Sequence, residues 1–204
     1  MSQSRSNPTA DIHPIIARRW SPRSFAGERP VETDKLRSCI EAVRWAPSCY
    51  GDEPWRFIVC DKSAHPEAWQ KLFSCLAPKN REWAVNAPVL MLVSAATRFR
   101  NGKPNRWGEY DTGQAAMSLC LQATALGLAT HQMGGFDVAA AREAFGIPEE
   151  YTPMAALALG YPAEAERLPE EFRTMETAPR KRQPAEACFG MGRWPGDSGL
   201  RVED

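Results

Sequence analysis

The chain has 204 residues, enough for a single domain with a full core. Its 25 Lys and Arg residues are balanced by 25 Asp and Glu, and this zero net charge argues against a general nucleic-acid or membrane-surface binder. Residues 1–11 are polar and lack the apolar stretch of a secretory signal, and the longest clean apolar run, residues 87–96, falls far short of the roughly 20 residues a membrane helix needs, so a cytoplasmic protein is expected.

Residues 1–11 read as a flexible N-terminus, and residues 12–19 can form a short helix. The helix runs into Arg18-Arg19-Trp20-Ser21-Pro22-Arg23-Ser24-Phe25. So many guanidinium groups in a neutral chain suggest one compact anion, because arginine forks match phosphate geometry and the Ser21 hydroxyl adds a hydrogen bond. A plain solvated patch is the competing reading at this point. Pro30 and Thr33 introduce a second helix, with Thr33 as expected N-cap and Leu36, Ile40 and Val43 along one apolar face. Pro47 ends it at or before Ala46. The polar loop Ser48-Cys49-Tyr50-Gly51-Asp52-Glu53-Pro54 leads to a strand over 55–60, a helix over 68–76 and a buried strand over 89–95. Residues 97–108 form a basic loop carrying Arg98, Arg100, Lys103 and Arg106. The helix over 112–126 is apolar nearly all round and should be central. Residues 128–133 read as a short strand or extended segment leading into Gly134-Gly135-Phe136, and Asp137 then caps a helix closed by Gly146. A further strand covers 154–160. From Tyr161 the chain is rich in proline and charge, reads as an arm, and carries a second basic cluster, Arg180-Lys181-Arg182.

Strands alternate with helices, which predicts an α/β or α+β domain with a helix-covered sheet. Trp45 and Trp55 are expected in the core, and His131 is expected to be a packed histidine. Cys39, Cys60 and Cys120 lie in apolar patterns and read as reduced core residues, whereas Cys49 sits in a polar loop. No cysteine or histidine spacing suggests a metal. A Gly-x-Gly-x-x-Gly loop, a phosphate-binding loop ending in Gly-Lys-Ser/Thr and a Gly-x-Ser-x-Gly elbow are all missing.

Several segments taken together resemble the FMN-dependent nitroreductases. They are Arg19-x-Ser21-x-Arg23-x-Phe25, Ala46-Pro47-Ser48, Pro54-Trp55-Arg56-Phe57, Ala87-Pro88-Val89 with Asn80 upstream, Asp111-x-Gly113-x-Ala115-Ala116, Gly127-Leu128, Gly134-Gly135-Phe136, Leu159-Gly160-Tyr161-Pro162 and Pro179-Arg180-Lys181-Arg182. The resemblance implies a single α+β domain over 1–204 with a central, mostly antiparallel or mixed sheet flanked by helices. It also implies a homodimer embraced by a C-terminal arm, residues 161–204, with FMN at the subunit interface. By position, Arg19, Ser21, Arg23, Arg180 and Arg182 would hold the FMN phosphate and ribityl chain. Asn80 would meet the pyrimidine edge, and Ser48 and Cys49 would approach from the other subunit. The Gly134 backbone N–H would face flavin N5, with Gly135 beside it and no side-chain acid or base required. The implied activity is ping-pong electron transfer from NADH or NADPH to a small nitroaromatic, quinone or enone. A flavin carrier or sensor without turnover, or a same-fold dehalogenase or flavin-modifying enzyme, stands as the alternative.

The chain departs from the family pattern at Cys49, Gly51 and Glu53, which stand where Ser, Asn and Gln are common. Glu53 is expected to turn away and pair with an arginine such as Arg56. Trp83 falls where some relatives carry a lysine near flavin N1, leaving Arg23 to balance charge there.

Overall fold

Alternation along the central strands places one apolar layer on each side of a four-stranded sheet. The computed structural model describes residues 8–195, so residues 1–7 of the expected flexible N-terminus and residues 196–204 of the expected arm lie outside the described part. The strands are β1 (Trp55–Asp61), β2 (Val89–Ala96), β3 (Ala129–Met133) and β4 (Tyr151–Gly160), in the order β1-β2-β4-β3. Every pairing is antiparallel, with Phe57 opposite Val93, Leu92 opposite Ala156, and Met133 also opposite Ala156. The mixed alternative is therefore resolved as wholly antiparallel among the described strands.

The helices are α1 (Pro14–Arg18), α2 (Thr33–Arg44), α3 (Pro66–Cys75), α4 (Pro78–Ala84), α5 (Gly108–Ala125), α6 (Val138–Phe145), α7 (Glu170–Thr177) and α8 (Ala185–Cys188). On one sheet face, Cys60, Leu90, Leu92 and Ala158 pack with Leu72, Trp83, Ala141 and Phe172. On the other, Val89, Met91, Val93 and Leu159 pack with Cys39, Val43, Leu119 and Cys120. Both faces are covered, which is why β2 reads as an unbroken apolar run rather than an alternating one. The second face keeps an apolar cavity of about 180 Å³ between Ile40, Val43, Phe57, Val59, Met91 and Leu119. Among the described residues, no helix is long and apolar enough to cross a membrane.

Local signals hold where the partner groups lie close in sequence. Asp137 accepts the Ala140 N–H at 2.9 Å, and Gly146 closes α6 in the left-handed region. Elsewhere the structure corrects the sequence reading. The N-cap of α2 is Glu32, with Thr33 the first helical residue, and Ile40 is partly exposed while Cys39 and Val43 carry the buried face. α5 starts at Gly108 rather than Thr112, because a glycine there lets the helix begin against the end of β2. A Cβ at 108 would stand 2.2 Å from the Ala96 carbonyl oxygen. α4 has no counterpart among the expected elements. Its polar sequence carries little apolar period, and it is held by burial of Trp83 and Ala84.

Trp55 is buried as expected, but Trp45 is 82% exposed and donates its indole N–H to Glu41. Leu168 and Phe172 join the core of their own chain, so the segment through α7 belongs to the domain body.

Candidate functional site

The two basic clusters meet. Arg180 Nη1 donates to the carbonyl oxygens of Ala17 at 3.3 Å and Arg19 at 3.0 Å, joining positions 161 residues or more apart in the chain. Arg19 Nη1 in turn lies 3.3 Å from the Ser21 hydroxyl oxygen. Burial, then the charges of Arg182 and Arg19, push the Arg180 guanidinium below its ordinary pKa. The charges of Arg182 and Arg19, from opposite ends of the chain, therefore both press on Arg180, and an anion beside it would relieve that repulsion. Arg182 itself turns one nitrogen back onto the Lys181 carbonyl oxygen at 2.8 Å.

The loop between α1 and α2 is held from several sides. The Ser24 hydroxyl donates to the Glu164 carbonyl at 2.7 Å, and Phe25 bridges Pro162 at the end of β4. Glu176 of α7, which is 2% exposed, accepts the Arg23 and Ser24 backbone N–H groups. His131 of β3 sits with Nδ1 3.0 Å from the Pro22 carbonyl oxygen and its ring 4.5 Å from that of Trp83. Burial, with the Arg23 and Arg19 charges, pushes the His131 imidazole down to about 4, against the pull of the Pro22 and Ser21 backbone. The ring is therefore neutral at pH 7, and the simplest assignment puts its proton on Nδ1 toward Pro22. His131 is the packed histidine the sequence suggested, and it props the basic loop.

Trp83 also packs against Phe25, with ring centroids 6.2 Å apart, and is 1% exposed. It is a core residue that couples α4 to the basic loop. One helical turn earlier on α4, Asn80 donates through Nδ2 to the Gly135 carbonyl at 2.9 Å. A Cβ on Gly135 would stand 2.9 Å from that same nitrogen, so the glycine admits the contact. A Cβ on Gly134 would meet nothing within 4 Å, so the space in front of its backbone is open to a flat group. Arg19, Ser21, Arg23, Asn80, Gly134, Gly135 and Arg180 are thus linked through contiguous contacts along the loop, α4 and the end of β3.

Ser48 and Cys49 lie in a separate loop. The Ser48 hydroxyl accepts the Glu53 N–H at 3.0 Å, and the buried Asp111 carboxylate of α5 accepts the Cys49 N–H at 2.9 Å. Tyr50, Gly51 and Glu53 all have positive φ, at 57°, 62° and 51°. Two of these are not glycine, and such backbone costs energy that the surroundings must hold in place. The loop leans on the basic segment 97–108: Arg100 N–H donates to Asp52 at 3.1 Å, and Tyr50 meets Phe99 edge-on at 5.9 Å. The Glu53 carboxylate faces Arg100 at 4.0 Å, while Arg56 donates to the backbone carbonyls of Glu53 and Trp55. Glu53 thus pairs with an arginine as expected, but with Arg100 rather than Arg56. Sequence reasoning gave Asp111 and Glu176 no role: Asp111 appeared only within a motif of the resemblance, and Glu176, whose partners are distant backbone N–H groups, carries no local pattern. Among the described residues, no grouping of His, Cys, Asp and Glu could hold a metal ion.

This arrangement has relatives. A protein of Mycolicibacterium smegmatis described only as an uncharacterised 15.4 kDa protein is 31% identical over 144 residues, 68% of this chain and 97% of its own length. A Methanothermobacter thermautotrophicus protein provisionally named a NADH dehydrogenase/NAD(P)H nitroreductase is 28% identical over 161 residues, 76% of this chain and 78% of its own. The solved structure of an oxidoreductase containing FMN superposes with a TM-score of 0.88 at 32% identity, covering 97% of this chain and 100% of that one. The model of the Nitroreductase family matches residues 16–161, and the chain belongs to that family.

Proposed function

We propose that the protein is an FMN-dependent oxidoreductase that takes electrons from NADH or NADPH and passes them to a small organic acceptor, a nitroaromatic, quinone or enone, in ping-pong order. The carrying observation is the contact of Arg180 with the Arg19 carbonyl, which brings arginines from both ends of the chain together, beside the Ser21 hydroxyl that Arg19 reaches. That donor set suits a phosphate dianion. Arg19, Ser21, Arg23, Arg180 and Arg182 would hold the phosphate and ribityl chain, Asn80 the pyrimidine edge, and Gly134 and Gly135 the ring. The open space in front of Gly134 fits a flat ring approaching bare backbone.

Bound FMN supplies the hydride chemistry, and the protein supplies position and charge. Arg23 would offset the negative charge the ring gains on reduction. No side-chain acid or base is needed, and the neutral His131 acts as a prop rather than a proton donor.

A homodimer with the flavin between subunits, and Ser48 and Cys49 reaching in from the second copy, completes the reading. The 48–53 loop is tied to Asp111 and the 97–108 segment rather than to the basic loop, which is consistent with service to another copy. Phe189, Met191 and Trp194 are 63%, 77% and 88% exposed, and apolar side chains this bare on a terminal segment suit an arm that packs on a partner. The six free cysteines suit a reducing cytoplasm.

The visible spectrum of freshly purified protein tests this reading. Yellow protein whose flavin bands bleach under nitrogen on adding NADH or NADPH, and return with an acceptor, is the expected result. Colourless protein that takes up no added FMN overturns it. Yellow protein that neither nicotinamide bleaches transfers the reading to a flavin carrier or sensor.

A further inference from the structure

Among the described residues, only two carboxylates are buried, Asp111 and Glu176. Glu176 lies on α7, outside every segment that suggested a ligand from sequence. Its Oε1 and Oε2 both lie 3.0 Å from the Arg23 backbone nitrogen, and Oε1 lies 3.1 Å from that of Ser24. A buried carboxylate is costly unless several hydrogen bonds satisfy it, and here two adjacent backbone N–H groups converge on it. Four residues later the same segment holds the Ala17 and Arg19 carbonyls through Arg180. The C-terminal segment thus grips the basic loop at both ends, taking its carbonyls at residues 17 and 19 and its N–H groups at residues 23 and 24.

We infer that Glu176 is a positioning residue for anion recognition, turning the Arg23 and Ser24 backbone inward so that the side chains of Arg19, Ser21 and Arg23 meet the ligand. Two consecutive backbone N–H groups in a basic loop are themselves a ready anion cradle. Glu176 occupies that cradle from inside the protein, as a built-in substitute anion, and recognition passes to the guanidinium forks on the outer side. Forks are geometrically selective for a terminal phosphate. The consequence is discrimination: Glu176 matters for a flavin that carries a phosphate and much less for one that does not. This rests on the FMN reading above, but the state of the loop can be measured without any flavin.

The isosteric Glu176→Gln variant carries the test. Its amide keeps one acceptor oxygen but turns an NH₂ donor toward the Arg23 N–H. In flavin-free protein, hydrogen exchange at the Arg23 and Ser24 amides should quicken by about tenfold or more, with core strands β2 and β4 unchanged. The FMN Kd should rise by about tenfold or more, while riboflavin affinity moves by less than about threefold. Exchange at the wild-type rate, or FMN and riboflavin affinities that fall in parallel, overturns the inference. If the harsher Glu176→Ala variant fails to fold, the glutamine variant still decides. If wild-type protein binds no FMN at all, the function proposed above fails, and the exchange rates of the Arg23 and Ser24 amides still decide whether Glu176 holds the loop.

Discussion

Two loops supply the candidate site, and each hangs on one buried carboxylate. The basic loop around residues 19–24 receives three short contacts from Glu176, a further grip from Arg180 and a wedge from the neutral His131. The 48–53 loop receives a single N–H contact from Asp111 and keeps three residues at positive φ. The first, more rigid loop has its backbone satisfied by a buried carboxylate and by Arg180, while the second, looser loop is held in a costly shape by Asp111 and by exposed contacts with the 97–108 segment. On the function proposed above, a phosphate tail that is the same in every turnover would suit the rigid loop, and a pocket admitting donor and acceptor in turn would suit the looser one.

The largest effect expected from breaking this contrast is on the rigid side. If Arg19 and Arg23 hold the FMN phosphate as proposed, replacing both with alanine would remove two charge-assisted contacts of about 1.5–3 kcal/mol each, and the FMN Kd should rise by about 100-fold or more. Equilibrium dialysis of the double variant measures it directly, and Arg23→Ala alone should also lower the flavin midpoint potential. Unchanged FMN retention would show that the crowded guanidinium groups serve something other than the cofactor tail.

The next effect is a pH dependence that belongs to the rigid loop alone. His131 is held neutral, with a folded pKa of about 4 against an ordinary 6.5, by burial and by the Arg23 and Arg19 charges. Between those values the unfolded chain binds a proton that the folded chain refuses. The His131 contribution to stability is therefore fully present above pH 6.5 and is lost as the pH falls toward 4, by roughly 3 kcal/mol in all. Urea titrations at pH 7 and pH 4.5 should show the drop, and His131→Asn should flatten that part of the profile. An equal drop in the asparagine variant would assign the slope to other groups.

The same contrast explains what could be read from the sequence. The basic loop, the caps of α6 and the central α5 were legible because their signals are local: a cluster of arginines, Asp137 at a helix start, an apolar stripe. The four strands were legible because both sheet faces are buried. What holds the loops was not. Glu176 and Arg23 are 153 residues apart, and Cys49 and Asp111 are 62 apart. The motif around Asp111 did not reveal which N–H it serves, and nothing near Glu176 marks a carboxylate with a distant backbone partner. α4 was hidden because Lys79, Asn80, Arg81 and Glu82 carry no apolar period, and its anchor, Trp83, finds Phe25 and His131 only in the fold. Trp45 misled in the opposite sense: an aromatic at a helix end found a carboxylate, Glu41, one turn back instead of a core.

The smallest effect tests the looser loop and should differ between neighbouring positions. Gly51 has φ of 62° and open space where a Cβ would go, so Gly51→Ala meets no clash and its cost is that of left-handed backbone alone, about 1 kcal/mol. Tyr50 already bears that strain at φ 57°, with its ring 93% exposed and touching Phe99 edge-on. Tyr50→Gly relieves the strain but adds freedom to the unfolded chain and loses the ring contact, so its net change should stay within about 0.5 kcal/mol of zero. Paired thermal melts of the two variants separate a loop that stores strain from one that merely tolerates it. If alanine at 51 costs nothing while glycine at 50 costs about 1 kcal/mol, the Tyr50–Phe99 contact, and not backbone conformation, holds the loop in shape. The 97–108 segment would then become the element that sets the pocket's form.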